Sequence, residues 1–383
     1  MPNDLLALVD DVLPLVVDLR RSLHRIPERG HEEYRTTELI ASTLGSKGVI
    51  PTRRQNGTGL WVDVGGSPVV GFRADIDALP IDEPEDNDPR SENPGWMHAC
   101  GHDAHAAVGV GIALILANLD LPGGVRFLFQ PAEERLPGGA RLMVEEGLVN
   151  GLKSIIAFHV NPVLPAGQVG VKEGPITAST DGMTIVIEGP GGHTSRPQNT
   201  VDLVAAAARV VADIPQLIRE AINPSIPVVT AFGSIHGGDA PNVIPARIEL
   251  KGTVRTGDRK IWGELAGIVD SALAGVLRST GASYHLDYVQ GVAPVVNDPG
   301  VVATASGGMA RVLGPESVVP VEMSMGGEDF YAYLDEIPGA LLRLGSHSGG
   351  GDIHSSTFKI NEDCLRVGVI AGAAALLELL DES

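Results

Sequence analysis

Residues 97–105 read MHACGHDAH, which places three histidines, a cysteine and an aspartate in nine positions of a chain that has only two cysteines and 11 histidines. Cys100 and His102 offer a thiolate and an imidazole, a pairing that suits zinc and its late first-row neighbours. A helix starting near Asp103 would set its positive end beside Cys100 and depress the thiol pKa. In FQPAEE (129–134) an apolar strand runs out into Glu133 and Glu134. Adjacent side chains point in different directions, so one carboxylate can hold a metal while the other holds a water, as metal-assisted hydrolysis needs. His159 closes the apolar run IIAFHV (155–160), and His354 lies in the glycine-rich GGDIHSSTF (350–358). Singly, these residues read as well as a solvated acidic face, a capping histidine and an exposed loop histidine. Together they fall at the strand ends and loops of one presumed sheet, which favours a metal site.

A second group lies further along, in GPGGHTSRP (189–197), DAPNVIP (239–245) and GTVRT (252–256). The glycines around His193 let the backbone turn sharply and present the imidazole. The Arg255 fork suits a carboxylate bidentately. An exposed turn histidine, a turn asparagine at Asn242 and a surface ion pair are the bland readings of the same three residues.

The elements that must position these residues follow an α/β rhythm. Helical periodicity covers 4–25 and 35–48, and a third helix covers 104–119. LWVDVG (60–65), VVGFRADI (69–76), VRFLFQ (125–130) and IIAFHV are compact apolar runs bounded by glycine or proline, as buried strands are. This alternation predicts a mostly parallel sheet with helices on both faces, whose ligands collect where strands end. The middle changes rhythm: strand 183–189, helix 201–221, strands 227–238 and 246–257, helix 259–280 and strand 282–291. That β-α-β-β-α-β order is the ferredoxin-like split motif. The expected organisation is a catalytic α/β domain, 1–174 and 292–383, interrupted by an inserted domain at 175–291.

The totals agree with two domains, because 383 residues exceed the size at which one core keeps growing. Twenty-eight basic against 48 acidic residues give a formal charge of −20, which repels nucleic acid and anionic membranes. The longest apolar run near the C-terminus, VGVIAGAAALL (367–377), is too short to cross a bilayer. MPNDLLALVDDV carries acids where a secretory signal needs bases, and two cysteines cannot build a disulfide framework, so a reducing cytoplasm is expected.

Taken in order, these segments resemble the metal-dependent amidohydrolases that cleave N-acyl amino acids. That family includes hippurate hydrolase, the auxin-conjugate hydrolases and the N-acetyl-diaminopimelate deacetylases, within the wider aminoacylase and carboxypeptidase-G clan. The resemblance runs from LRRSLHRIPE (19–28) and RADIDALPI (73–81) through MHACGHDAH, FQPAEE and FHV (158–160). It continues through GGHTSRP, NVIP, GTVRT and GEDF (327–330) to IHSSTF (353–358). It implies two divalent metal ions, zinc or manganese foremost with cobalt or nickel also suited, on Cys100, His102, Glu134, His159 and His354. Glu133 is then the general base. The inserted domain becomes a lid in which His193, Asn242 and Arg255 meet the substrate. In relatives that lid pairs two subunits, which implies a homodimer with His193 serving the neighbour's active site. Arg73-Ala74-Asp75 stands where the wider clan has a His-x-Asp pair, leaving Asp75 to orient a ligand or to serve structure. His98 and His105 stay open between those same roles. Arg135-Leu136-Pro137 replaces glycines that often follow the glutamate pair.

The expected activity is hydrolysis of the amide of an N-acyl amino acid. A dipeptidase or carboxypeptidase on the same fold is the alternative. A non-catalytic metal-binding protein would need only one of the two glutamates, and a serine hydrolase would need the G-x-S-x-G elbow that the chain lacks.

Overall fold

The computed structural model describes residues 2–382, which divide into two compact units. The first unit runs to Gly174 and resumes over Val296–Glu322 and from Asp329 onward. Its sheet has the strand order Thr52–Arg53, Leu60–Val64, Gly124–Gln130, Pro68–Asp75, Ser154–Asn161, Gly339–Gly345, Val169–Val171 and Val318–Pro320. The four strands from Gly124–Gln130 to Gly339–Gly345 run parallel, while Leu60–Val64 and Val169–Val171 pair antiparallel with their inner neighbours. These central strands are buried along almost their whole length, which is why they read as unbroken apolar runs. Register brings their carboxyl ends level: Asp75 lies opposite Gln130, and His159 opposite Arg343.

The helix His102–Leu116 is buried on every side, as its unbroken apolar run from Ala106 onward requires. It packs among the helices Pro2–Arg25 and Asp363–Asp381. Gly111 makes this approach feasible, since a Cβ there would lie 2.7 Å from Val16 Cγ2 and 2.9 Å from Val369 Cγ2. Among the described residues no helix is long and apolar enough to cross a membrane.

The second unit comprises Pro175–Val295 and Met323–Glu328. Its antiparallel sheet has the order Val228–His236, Arg247–Thr256, Thr180–Glu188 and Ser283–Val292. Helices Leu203–Ala221 and Arg259–Leu277 fill the two crossovers. Each helix starts on an aspartate whose side chain accepts a backbone N–H: Asp202 from Ala205 and Asp258 from Ile261. Alternate residues of Thr180–Glu188 are buried, so one face of the sheet joins the helices in a core built on Ile185, Ile187, Val210 and Val269.

One boundary differs from the sequence reading, which gave 292–383 entirely to the first domain. Val292–Val295 and Met323–Glu328 belong with the second unit, held there by backbone bonds from Ile176 N–H to Val295 O, Ser324 N–H to Ile176 O and Ala178 N–H to Gly326 O. No periodicity marks these short extended pieces.

Candidate metal centre

The motif Cys100-Gly101-His102 folds as a sharp turn into the His102 helix. Gly101 is in the left-handed region at φ 81°, and a Cβ on it would come within 2.5 Å of Val160 Cγ2. Only glycine fits both demands, and the close approach sets Cys100 and His102 against the strand that carries His159. Cys100 Sγ lies 3.4 Å from His159 Nε2. The ligand atoms of Cys100, His102 and His159 lie within 4.8 Å of one another, as do those of Cys100, Glu134 and His354, and those of His102, Glu133 and Glu134. The groups share members, so Glu133 and all five expected ligands meet in one cluster. His354 Nε2 is 3.1 Å from Glu134 Oε1.

The hydrogen bonds behind the cluster decide which ring nitrogens are free. His159 Nδ1–H donates to Val160 O at 2.7 Å, which turns the Nε2 lone pair inward. His102 Nδ1 donates to Asp77 Oδ1 at 3.1 Å, and its buried Nε2 has no hydrogen-bond partner among the described residues. A buried ring nitrogen facing a thiol and two carboxylates, with no hydrogen-bond partner, fits a cation held there in place of its proton. His105 is different. Val160 N–H donates to its Nε2 at 2.8 Å, which leaves the proton on Nδ1 to donate to Asp75 Oδ1 at 2.6 Å. Both nitrogens are committed, so His105 orients Asp75 and offers a metal nothing. His98 is buried, and neither of its ring nitrogens has a hydrogen-bond partner among the described residues.

The electrostatics describe a site short of positive charge. Burial alone would lower the His102 pKa, but Asp75, then Asp77 and Glu134, outweigh it and raise the group to about 10. Burial, reinforced by the carboxylates of Glu134, Glu133 and Asp75, pushes the Cys100 thiol well above its usual range. This corrects the expectation that the helix terminus would depress it: the desolvated thiol faces acids that outweigh the helix end, so only a bound cation makes the thiolate favourable. Burial, with Arg343 and then His105 beside it, holds His159 neutral and ready to ligate.

The sequence left Asp75 open between orienting a ligand and serving structure; the residue that orients a ligand is Asp77. Its Oδ1 bonds His102, and its Oδ2 accepts the Glu134 N–H at 3.0 Å. Asp75 instead pairs with Arg73 Nη1 at 2.7 Å and with His105. Asp329 was also missed. It accepts from Arg73 Nη2 at 2.9 Å, and its own N–H reaches Glu133 Oε1 at 3.4 Å. RADIDALPI and GEDF carried both residues, but nothing in their spacing says which acid faces which base.

The other three expected site residues lie in the second unit. His193 and Asn242 lie on one small antiparallel ribbon: Gly192–His193 pairs with Val243–Ile244, and Thr194 N–H donates to Asn242 O at 3.1 Å. Both side chains are exposed. Arg255 is half-buried on the strand Arg247–Thr256, where its Nη1 donates to Thr180 Oγ1 at 3.0 Å and Met325 O at 2.8 Å.

Sequence and fold comparisons agree with this geometry. The model of peptidase family M20/M25/M40 matches residues 71–378. An N-acetylcysteine deacetylase of Bacillus subtilis is 37% identical over 358 residues, covering 92% of this chain and 93% of that protein. A thermostable carboxypeptidase 2 of Saccharolobus solfataricus is 34% identical over 95% of each chain. A longer Rhodococcus jostii protein named as a glutamate–cysteine ligase is 38% identical over 96% of this chain, which spans only 47% of that relative. The crystal structure of a Bacillus subtilis dinuclear metal binding peptidase from the M20 family superposes with a TM-score of 0.85 at 34% identity, covering 97% of this chain and 99% of that one. With its cysteine, histidines and paired glutamates gathered at the ends of one parallel sheet, the chain belongs to peptidase family M20/M25/M40.

Proposed function

We propose that the protein hydrolyses the amide bond of N-acyl amino acids, releasing a carboxylic acid and a free amino acid. The observation that carries this reading is the unpartnered His102 Nε2 within a thiol, imidazole and carboxylate cluster that also holds Glu133. Cys100, His102, Glu134, His159 and His354 would hold two divalent ions, with zinc or manganese foremost and cobalt or nickel also suited to these donors. When bound, such ions polarise the scissile carbonyl and make a water acidic. Glu133 takes the proton of that water and returns it to the leaving amine. Asp77 holds the His102 ring through Nδ1, and Val160 O does the same for His159.

The second unit would act as a lid and as the pairing surface of a homodimer. Its edge strand Val228–His236 and helix Leu203–Ala221 leave Val229, Ile235 and Val204 exposed, apolar surface that such pairing would cover. Arg255 and Asn242 would take the carboxylate of the amino-acid half, and His193, from the neighbouring subunit, would stabilise the oxyanion. The charge of −20 argues against nucleic acid as a partner, and a cytoplasmic location fits a buried free thiol at Cys100.

The carboxypeptidase relative favours a second reading, in which the acyl group is itself an amino acid. A panel of N-acetyl, N-benzoyl and indole-acetyl amino acids beside dipeptides, assayed with each metal in turn, separates the two. Faster turnover of every dipeptide than of any acyl amino acid would replace the first reading with the second.

A further inference from the structure

The loop that carries the paired glutamates is held in an unfavourable conformation. Ala132, directly before Glu133, has φ 51° and is fully buried. The left-handed region is uncommon for residues other than glycine, asparagine and aspartate, and persists only where the surroundings impose it. Here they do. Gly139 N–H donates to Ala132 O at 3.0 Å, and Ala132 N–H donates to Glu33 Oε1 at 2.7 Å. Glu33 is completely buried at the start of the helix Tyr34–Ser46, and its second oxygen is hydrogen-bonded by the Thr58 hydroxyl. The same segment also grips the far end of the loop, where His31 Nε2 bonds Pro137 O at 3.1 Å. Among the described residues no cationic side chain bonds Glu33; such a buried acid is costly to keep, and none of the metal-site chemistry accounts for it.

We propose that Glu33 is a positioning residue for the catalytic loop: it holds the Ala132 peptide in the left-handed conformation that turns Glu133 and Glu134 into the site. What matters is the reach of its Oε1 to Ala132 N–H, not its charge. Burial raises the Glu33 carboxyl to about 7, and the neutral acid still offers a carbonyl oxygen to Ala132. The inference rests on the reading of Glu133 as general base, since a misplaced base slows turnover without weakening substrate binding.

Three substitutions separate reach from charge. Glu33→Gln keeps the reach and loses the charge. Glu33→Asp keeps the charge and is one methylene too short. Glu33→Ala loses both. Each is compared with Glu133→Gln for kcat, KM, bound metal and melting temperature on an N-acetyl amino acid. Expected are a kcat within about threefold of the parent for Glu33→Gln, and losses of roughly 10–100-fold for Asp and Ala with metal and KM retained. A folded Glu33→Asp at full kcat overturns the proposal, and that variant keeps the question open to test if the alanine chain fails to fold. A Glu33→Gln as slow as Glu33→Ala also overturns it, because charge would then be what matters. If Glu133→Gln keeps full turnover, the general-base reading fails instead, whatever the Glu33 series shows.

Discussion

The metal cluster of the first unit and the small ribbon and sheet strand of the second carry the two halves of the expected chemistry, and they are built differently. In the metal cluster Cys100, His102 and His159 are buried, and the groups behind them are already bonded: His102 by Asp77, His159 by Val160 O, Asp75 by Arg73 and His105. Burial raises Glu33 to about 7, while Asp75, Asp77 and Glu134 raise His102 to about 10 against the effect of its burial. In the second unit His193 and Asn242 are exposed on and beside a pair of two-residue strands, and Arg255 rests on a hydroxyl and a carbonyl. Groups that handle protons and metal must not move by even a fraction of an ångström. Groups that meet a variable substrate can be left to solvent until it arrives. Rate should therefore reside in the first region and selectivity in the second.

The harshest test removes what the first region is built to hold. Dialysis against a chelator should abolish turnover, and divalent metal should restore it, with occupancy followed by elemental analysis. Full activity in verified metal-free protein would leave the buried cluster without a catalytic purpose.

Next come the two glutamates, which the cluster treats unequally. Glu133→Gln keeps size and polarity but cannot accept a proton, so kcat should fall about 10²–10⁴-fold with metal retained. Glu134→Gln should lose metal, and excess metal should recover part of the rate. The reverse pattern would exchange their roles.

Arg255→Ala probes the second region. KM should rise by the equivalent of about 1.5–3 kcal/mol, the worth of a charge-assisted hydrogen bond. A substrate with its carboxylate amidated should barely register the change. An equal loss on the amidated substrate would mean that Arg255, through Thr180 and Met325, only braces the fold.

The smallest effect concerns stability. Burial, with Asp77 nearby, raises Glu33 to about 7 from an ordinary 4.5, so the folded state holds a proton that the unfolded chain releases. That contribution is present below pH 4.5 and lost as pH rises through 7, at most roughly 3 kcal/mol. Glu33→Gln, which cannot titrate, should show a smaller drop in melting temperature between pH 5 and pH 8. An unchanged drop would place the titrating group elsewhere.

The central strands were legible because parallel strands covered on both sides must be continuously apolar, as in VRFLFQ and IIAFHV. The short pieces Val169–Val171 and Val318–Pro320 were not, since three residues carry no period. Cys100, His102 and the paired glutamates could be picked out because their chemistry is rare at such spacing. Asp77, Asp329 and Glu33 could not, because their partners are set by register and packing across the chain. Glu33 and Ala132 are 99 residues apart, and only the folded sheet brings them together. The thiol of Cys100 was misjudged for the same reason: a local helix end is visible in sequence, while the acids gathered around it are not.

The uneven exposure of the cluster also has a kinetic side. His102 heads a helix buried on every side, so loosening it would disturb the core, whereas the His354 side chain is 50% exposed on a loop with φ 61°. Bound ions would therefore be expected to exchange on the His354 side of the cluster. Exchange of bound metal should respond to changes at Gly349, which has open space around it and supplies no ligand, while the number of ions bound at equilibrium stays the same.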